Sequence, residues 1–91
     1  MLSDVDLIDG IVVIFRKCWN LPHDATEDEL KSHALLLLNW FKGGASEVDM
    51  DVEVAKVQLR LGLGFDKSHE DVTARIIDLV GRDSIRSTHP G

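Results

Sequence analysis

Ninety-one residues make one small domain, with room for a single hydrophobic core. Hydrophobic residues at 44% and charged residues at 29% exclude a disordered chain, and no apolar run approaches the roughly 18 residues that span a bilayer. Ten Lys and Arg against sixteen Asp and Glu leave a net charge of -6, which speaks against a general binder of nucleic acid or of anionic membranes.

The single cysteine, Cys18, excludes an internal disulfide framework and a cysteine-rich zinc site, and it suits a reducing compartment. The apolar run 11–15 is short and follows Asp4, Asp6 and Asp9, where a secretory leader carries basic residues. A cytoplasmic location is therefore expected.

A first helix is predicted over 4–19. The Ser3 hydroxyl can accept from open backbone N–H groups, and Asp4 and Asp6 suit the positive end of the helix dipole. Val5, Ile8, Ile11, Val12, Phe15, Cys18 and Trp19 recur at helical spacing and form one broad apolar face. That stripe outweighs the β-branched run 11–14, which would also suit a strand. Gly10 costs about 1 kcal/mol relative to Ala inside a helix, so it marks a weak point or a close approach.

Leu21-Pro22-His23-Asp24 breaks the chain, since proline cannot continue a helix. Thr26 and Glu29 then form a capping-box pattern that opens a second helix over 27–42. Leu30, Ala34, Leu37, Leu38 and Phe41 line one face, and Leu36 and Trp40 widen it. A helix this apolar is expected at the centre of the fold. Gly43-Gly44 ends it, because glycine takes the left-handed cap conformation without penalty.

The third segment, 47–61, carries two patterns. Val48, Met50, Val52 and Val54 alternate with Asp49, Asp51 and Glu53, as in a half-buried strand. The same residues form two helical stripes, one of Val48, Val52, Ala55 and Leu59 and the other of Met50, Val54, Val57 and Leu61. Helix is preferred over hairpin on three grounds. Ser46 and Asp49 make a cap pattern, acids come early and Lys56 and Arg60 late, and Gly62 stands just past the end. Ala55-Lys56 would also be a poor hairpin turn.

A fourth helix is predicted over 69–80, capped by Ser68 with Asp71, with Val72, Ile76, Leu79 and Val80 inward and Gly81 as its stop. The expected fold is therefore all-α, a compact four-helix bundle with short Gly/Pro loops. One domain covers 1–81 and a loose polar tail covers 82–91.

The chemistry-bearing residues point away from catalysis. Most acids fall at predicted helix starts and most bases at helix ends, the dipole-matched arrangement of an ordinary helical protein. Asp49, Asp51 and Glu53 match the opening of a calcium loop, but Val54 stands where that loop needs Gly and Arg60 where it needs an acid. Glu29 and His33 are one turn apart, yet nothing places His23 or His69 beside them, and His89 falls in the tail. Cys18 lies on the inner face of the first helix, where burial hides a thiol. Gly62-x-Gly64 lacks the rest of a phosphate-binding pattern. No catalytic residue, metal or cofactor is expected, and the protein is not expected to be an enzyme.

A lone bundle cannot bury both stripes of the third helix, and an apolar patch left in water marks an interface. The expectation is a small acidic protein-binding module, of adaptor, inhibitor or immunity type, that also forms a homodimer. It would act through Met50, Val54, Val57 and Leu61, with Asp49, Asp51 and Glu53 as an acidic strip that steers a basic partner. On this view Met50→Asp or Val57→Asp weakens association without unfolding the chain.

An alternative rests on a resemblance. Residues 54–63, Asp66-Lys67-Ser68 and residues 72–79 resemble a helix-turn-helix, with a small residue and a Gly in or after the first helix and a capped second helix. The resemblance implies a DNA-binding regulator built from residues 54–80, with Arg75 at a base edge or phosphate.

Overall fold

Ser3 starts the first helix. Its hydroxyl accepts from the Asp6 N–H at 3.2 Å, and the Asp6 carboxylate accepts in return from the Ser3 N–H at 3.4 Å. Thr26 and Ser46 accept likewise from the N–H groups of Glu29 at 3.1 Å and Asp49 at 3.2 Å. These caps open α1 (Asp4–Cys18), α2 (Glu27–Lys42) and α3 (Glu47–Arg60), and α4 spans Ser68–Thr88. The computed structural model describes residues 3–64 and 66–88, and among them these four helices are the regular elements.

Helix ends follow the same local logic. Gly44 and Gly62 take φ of 86° and 74°, in the left-handed region. Each lets the chain fold back, so that the Ala45 N–H donates to the Trp40 carbonyl at 3.1 Å and the Leu63 N–H to the Gln58 carbonyl at 3.2 Å. The ambiguity over 47–61 thus resolves as helix, capped at both ends by its own sequence.

Two predicted boundaries shift. The start of α4 is held by Asp66, whose carboxylate accepts from the Ser68 N–H at 2.8 Å, where Ser68 with Asp71 had been expected to cap. Its end lies beyond Gly81, which has no left-handed backbone and so continues the helix. Part of the span 82–91 expected to be a loose tail is therefore helical, as far as Thr88, and nothing before Pro90 forbids it. Residues 89–91, with His89, lie outside the described residues.

The helices pack in a ring, α1 on α2, α2 on α3, α3 on α4 and α4 back on α1. Arg16 pairs with Glu27 and Lys42 with Asp4, so the opposite ends of α1 and α2 meet and the two run antiparallel. Cys18 lies beside Asp71, and the Trp19 indole N–H donates to the Ser68 hydroxyl at 3.0 Å, which sets α1 antiparallel to α4. Helices α2 and α4 each touch all three others, α4 mostly α1 and α3, and α2 chiefly α1. The centre expected in α2 is accordingly shared, and the widened face of α2 stays partly wet at Leu36 and Trp40.

The core is continuous. Leu7, Ile11, Phe15 and Trp19 enter from α1, Leu30, Ala34, Leu37 and Leu38 from α2, and Val72, Ile76 and Val80 from α4. Phe15 and Trp19 stack with ring centroids 5.1 Å apart. At Gly10, α1 closes onto α4, where a Cβ would lie 2.7 Å from Leu79 Cδ2. Gly10 is therefore the close approach. In α1, Leu7 is inside and Val5 is exposed, because the buried arc centres on Ile11 and Phe15 between α2 and α4.

Candidate protein-binding site

Helix α3 leans on α4 and α2 and leaves its outer arc in water. Met50, Val54 and Val57 have no exposed surface, and Leu61 has almost none. The stripe to which partner binding was assigned from sequence is thus core, and a partner cannot touch it in the folded chain. The reason is geometric: a helix in a four-membered ring meets two neighbours on one side, and these residues point at both.

The stripe in water is the opposite one. Val48 is 71% exposed, Val52 49% and Leu59 51%, and Ala55 between them is half-buried. At 100° per residue these four fall within an arc of about 60°, so they form one line along the helix. Asp49, Lys56 and Arg60 flank that line, all exposed. A second apolar strip lies where Val5 and Ile8 of α1 meet Leu35 of α2, edged by Asp9, Asp28 and Lys31. It is shared between two helices, whereas α3 presents its line on one.

The expected acidic strip does not form. Asp49 is in water. Asp51 turns toward α4, where its carboxylate lies 2.8 Å from His69 Nδ1 and accepts from the Thr73 hydroxyl at 3.0 Å. Glu53 is almost buried and accepts from Lys56 Nζ at 3.1 Å. Alternate residues share a face in a strand but lie about 200° apart in a helix, which turns Asp51 away from Asp49 and Glu53; those two are one turn apart, but Glu53 is almost buried and held by Lys56. A calcium loop cannot form at residues that are helical.

The remaining polar groups hold the bundle together. Gln58, 1% exposed, donates from Nε2 to the Gly64 carbonyl and to the Asp66 carboxylate, both at 3.1 Å, and its Oε1 lies 3.2 Å from the Ser68 hydroxyl. With Trp19, this cluster ties the ends of α1 and α3 to the start of α4. The Cys18 thiol donates to Asp71 at 3.5 Å, and burial together with that carboxylate pushes it above the usual thiol range, so it stays protonated and a poor nucleophile. Arg75, the residue available to a DNA phosphate, donates to Asp71 at 3.0 Å, and α3 and α4 are separated by residues 61–67 where a helix-turn-helix has a tight turn of three or four.

His33 Nε2 lies 4.0 Å from Glu29, beyond hydrogen-bond reach, and no group of three His, Cys, Asp or Glu among the described residues could hold a metal ion. The cleft beside Glu29, lined also by Pro22, Asp24 and Arg60, has a volume of about 90 Å³, below the ~300 Å³ of small ligand pockets. Among the described residues, no helix is long and apolar enough to cross a membrane.

Among the described residues, His33, Asp66 and Asp71 couple stability to pH, Asp71 because Arg75 and the Cys18 thiol donate to its carboxylate and hold it below the usual range. Burial holds His33 below the usual imidazole range, and the Ser68 hydroxyl and N–H, with the Gln58 amide, hold Asp66 below the usual carboxylate range. Each binds protons more readily unfolded than folded, so falling pH destabilises the fold. The His33 contribution is whole above about pH 6.5 and the Asp66 contribution above about pH 4, and each is lost as pH falls through its lower folded value. Urea midpoints from pH 8 to pH 3 are expected to fall in both windows. His33→Gln should flatten the upper window and Asp66→Asn part of the lower, which Asp71 shares, and unchanged curves would refute the assignment.

The charges that flank Val48, Val52 and Leu59 were a signal available in the sequence. Asp49, Lys56 and Arg60 border this stripe, whereas the Met50 stripe is bordered by Gln58 and Glu53. A helix keeps its mobile charges beside its wet face. No protein-family model, curated protein or solved structure matches the chain.

Proposed function

We propose that this protein is a non-enzymatic protein-binding module whose contact surface is the outer face of α3. The observation that supports it is the line of Val48, Val52 and Leu59, held in water on a rigid, doubly capped helix. Scattered exposed apolar residues are normal on any surface, but three in register over three turns form a stripe that another apolar surface can cover. The charged border sets register and direction, and the apolar line supplies affinity. Such a module works by occupying a partner's surface, as an adaptor, inhibitor or immunity-type protein does. Its one protonated cysteine suits a reducing cytoplasm.

Immobilised full-length protein is expected to retain proteins from an extract of its native cells, and Leu59→Asp is expected to release them. Leu59 is half in water, so the substitution should leave the thermal midpoint within about 3 °C of the parent, a shift of about 0.5 kcal/mol. Retention unaffected by Leu59→Asp and by Val52→Asp would remove the reading.

A further inference from the structure

We infer that the occupant of the α3 face is a second copy of this chain, docked with the two α3 helices antiparallel about a two-fold axis. This rests on the reading of α3 as the contact surface and names what covers it. The argument comes from the symmetry of the stripe. The midpoint between Val48 and Leu59 is also the midpoint between Val52 and Ala55. Turned end for end, the stripe lays Val48 on Leu59 and Val52 on Ala55, and then the same contacts in reverse. An isologous interface requires that self-complementarity, with each pair made twice. The spacing of four, three and four residues is that of an antiparallel helix pair packed at alternate core positions. Small Ala55 near the axis lets the two helices approach to about 8–10 Å.

The charges on this face are complementary in this direction. Asp49 and Lys56 lie on the same flank of the stripe, near its acidic start and its basic end. A two-fold axis across the helices keeps that flank on the same side, so Asp49 of each copy meets Lys56 of the other, an exposed ammonium that also donates to Glu53 of its own chain at 3.1 Å. Parallel packing would instead bring that flank against the opposite one, where Glu47, Asp51 and Gln58 offer Asp49 no base. On the opposite flank Asp51 is already held by His69 and Thr73 and is left out of the exchange. A four-residue face on a helix about 21 Å long is smaller than the ~800 Å² per partner of a standard interface, so the dimer should dissociate on dilution.

Sedimentation equilibrium of the full chain, from about 5 μM to about 1 mM, is expected to show a reversible monomer–dimer equilibrium. Val52→Asp should abolish the dimer without lowering the thermal midpoint. Asp49→Lys and Lys56→Asp should each weaken it about tenfold, since two attractive pairs become repulsive. Mixed in equal amounts, these two variants should form a heterodimer at parental strength, because both cross-pairs are then restored. A parent that stays monomeric to 1 mM overturns the second copy as occupant. If Leu59→Asp nevertheless releases proteins retained from the native extract, the contact surface survives and only its occupant was wrong. A dimer indifferent to Val52→Asp overturns both, and a mixture that fails to restore association overturns the antiparallel register.

Discussion

Met50→Asp is expected to abolish the folded state. Met50 has no exposed surface and sits in the cluster that joins α3 to the rest of the bundle. Truncating a buried side chain of that size costs about 2–5 kcal/mol, and an unpaired carboxylate in its place must ionise in an apolar setting or take up a proton, which adds several kcal/mol more. A small domain has about 5–15 kcal/mol of stability in all, and one of this length stands near the lower end. The far-ultraviolet circular dichroism of the variant at pH 7 should be that of an unfolded chain. Val52→Asp, two residues along the same helix, should give the parental spectrum and melting point, because that side chain is half in water. A folded Met50→Asp would mean that α3 is rotated relative to the structure, with the consequence that the contact face would have to be reassigned.

The second large effect is expected from Gln58→Leu. The shape is nearly kept and the residue is fully enclosed, so the change isolates the hydrogen bonds. Loss of the Nε2 donor leaves the Gly64 carbonyl without that partner and removes one of the bonds that hold Asp66 against the start of α4. Deleting one side of a buried polar cluster costs more than its bonds contribute net, here about 2–3 kcal/mol. For a domain of this size that is a fall of roughly 10–20 °C in the melting midpoint. Because Gln58 also helps to hold the Asp66 carboxyl below the usual carboxylate range, the stability lost below pH 4 should shrink in the variant. A midpoint within 3 °C of the parent would show that water replaces the Gln58 amide without penalty.

Much of this architecture is legible residue by residue. Ser3, Thr26 and Ser46 are caps because a short hydroxyl side chain can reach an open N–H two or three residues on, whatever the rest of the fold does. Gly44 and Gly62 end helices because the positive φ they adopt strains any other residue. Gly81 looks the same on paper and behaves differently, since a glycine permits a stop without compelling one. The Gln58 cluster was harder to see, because its partners at Gly64, Asp66, Ser68 and Trp19 converge only after α1, α3 and α4 have packed.

The contact surface divides along the same line. From sequence alone it follows that α3 is a helix, that it carries two apolar stripes on roughly opposite sides, and that a bundle of this size leaves one of them unburied. Those conclusions need only the helical repeat, the caps and the length of the chain. Which stripe goes inside is a property of the neighbours. Helices α2 and α4 approach α3 from the side of Met50, Val54 and Val57, and Val48, Val52 and Leu59 are left facing out. The periodicity of a helix records that a face is apolar, but burial is a relation between two surfaces, and the second surface is absent until the bundle closes.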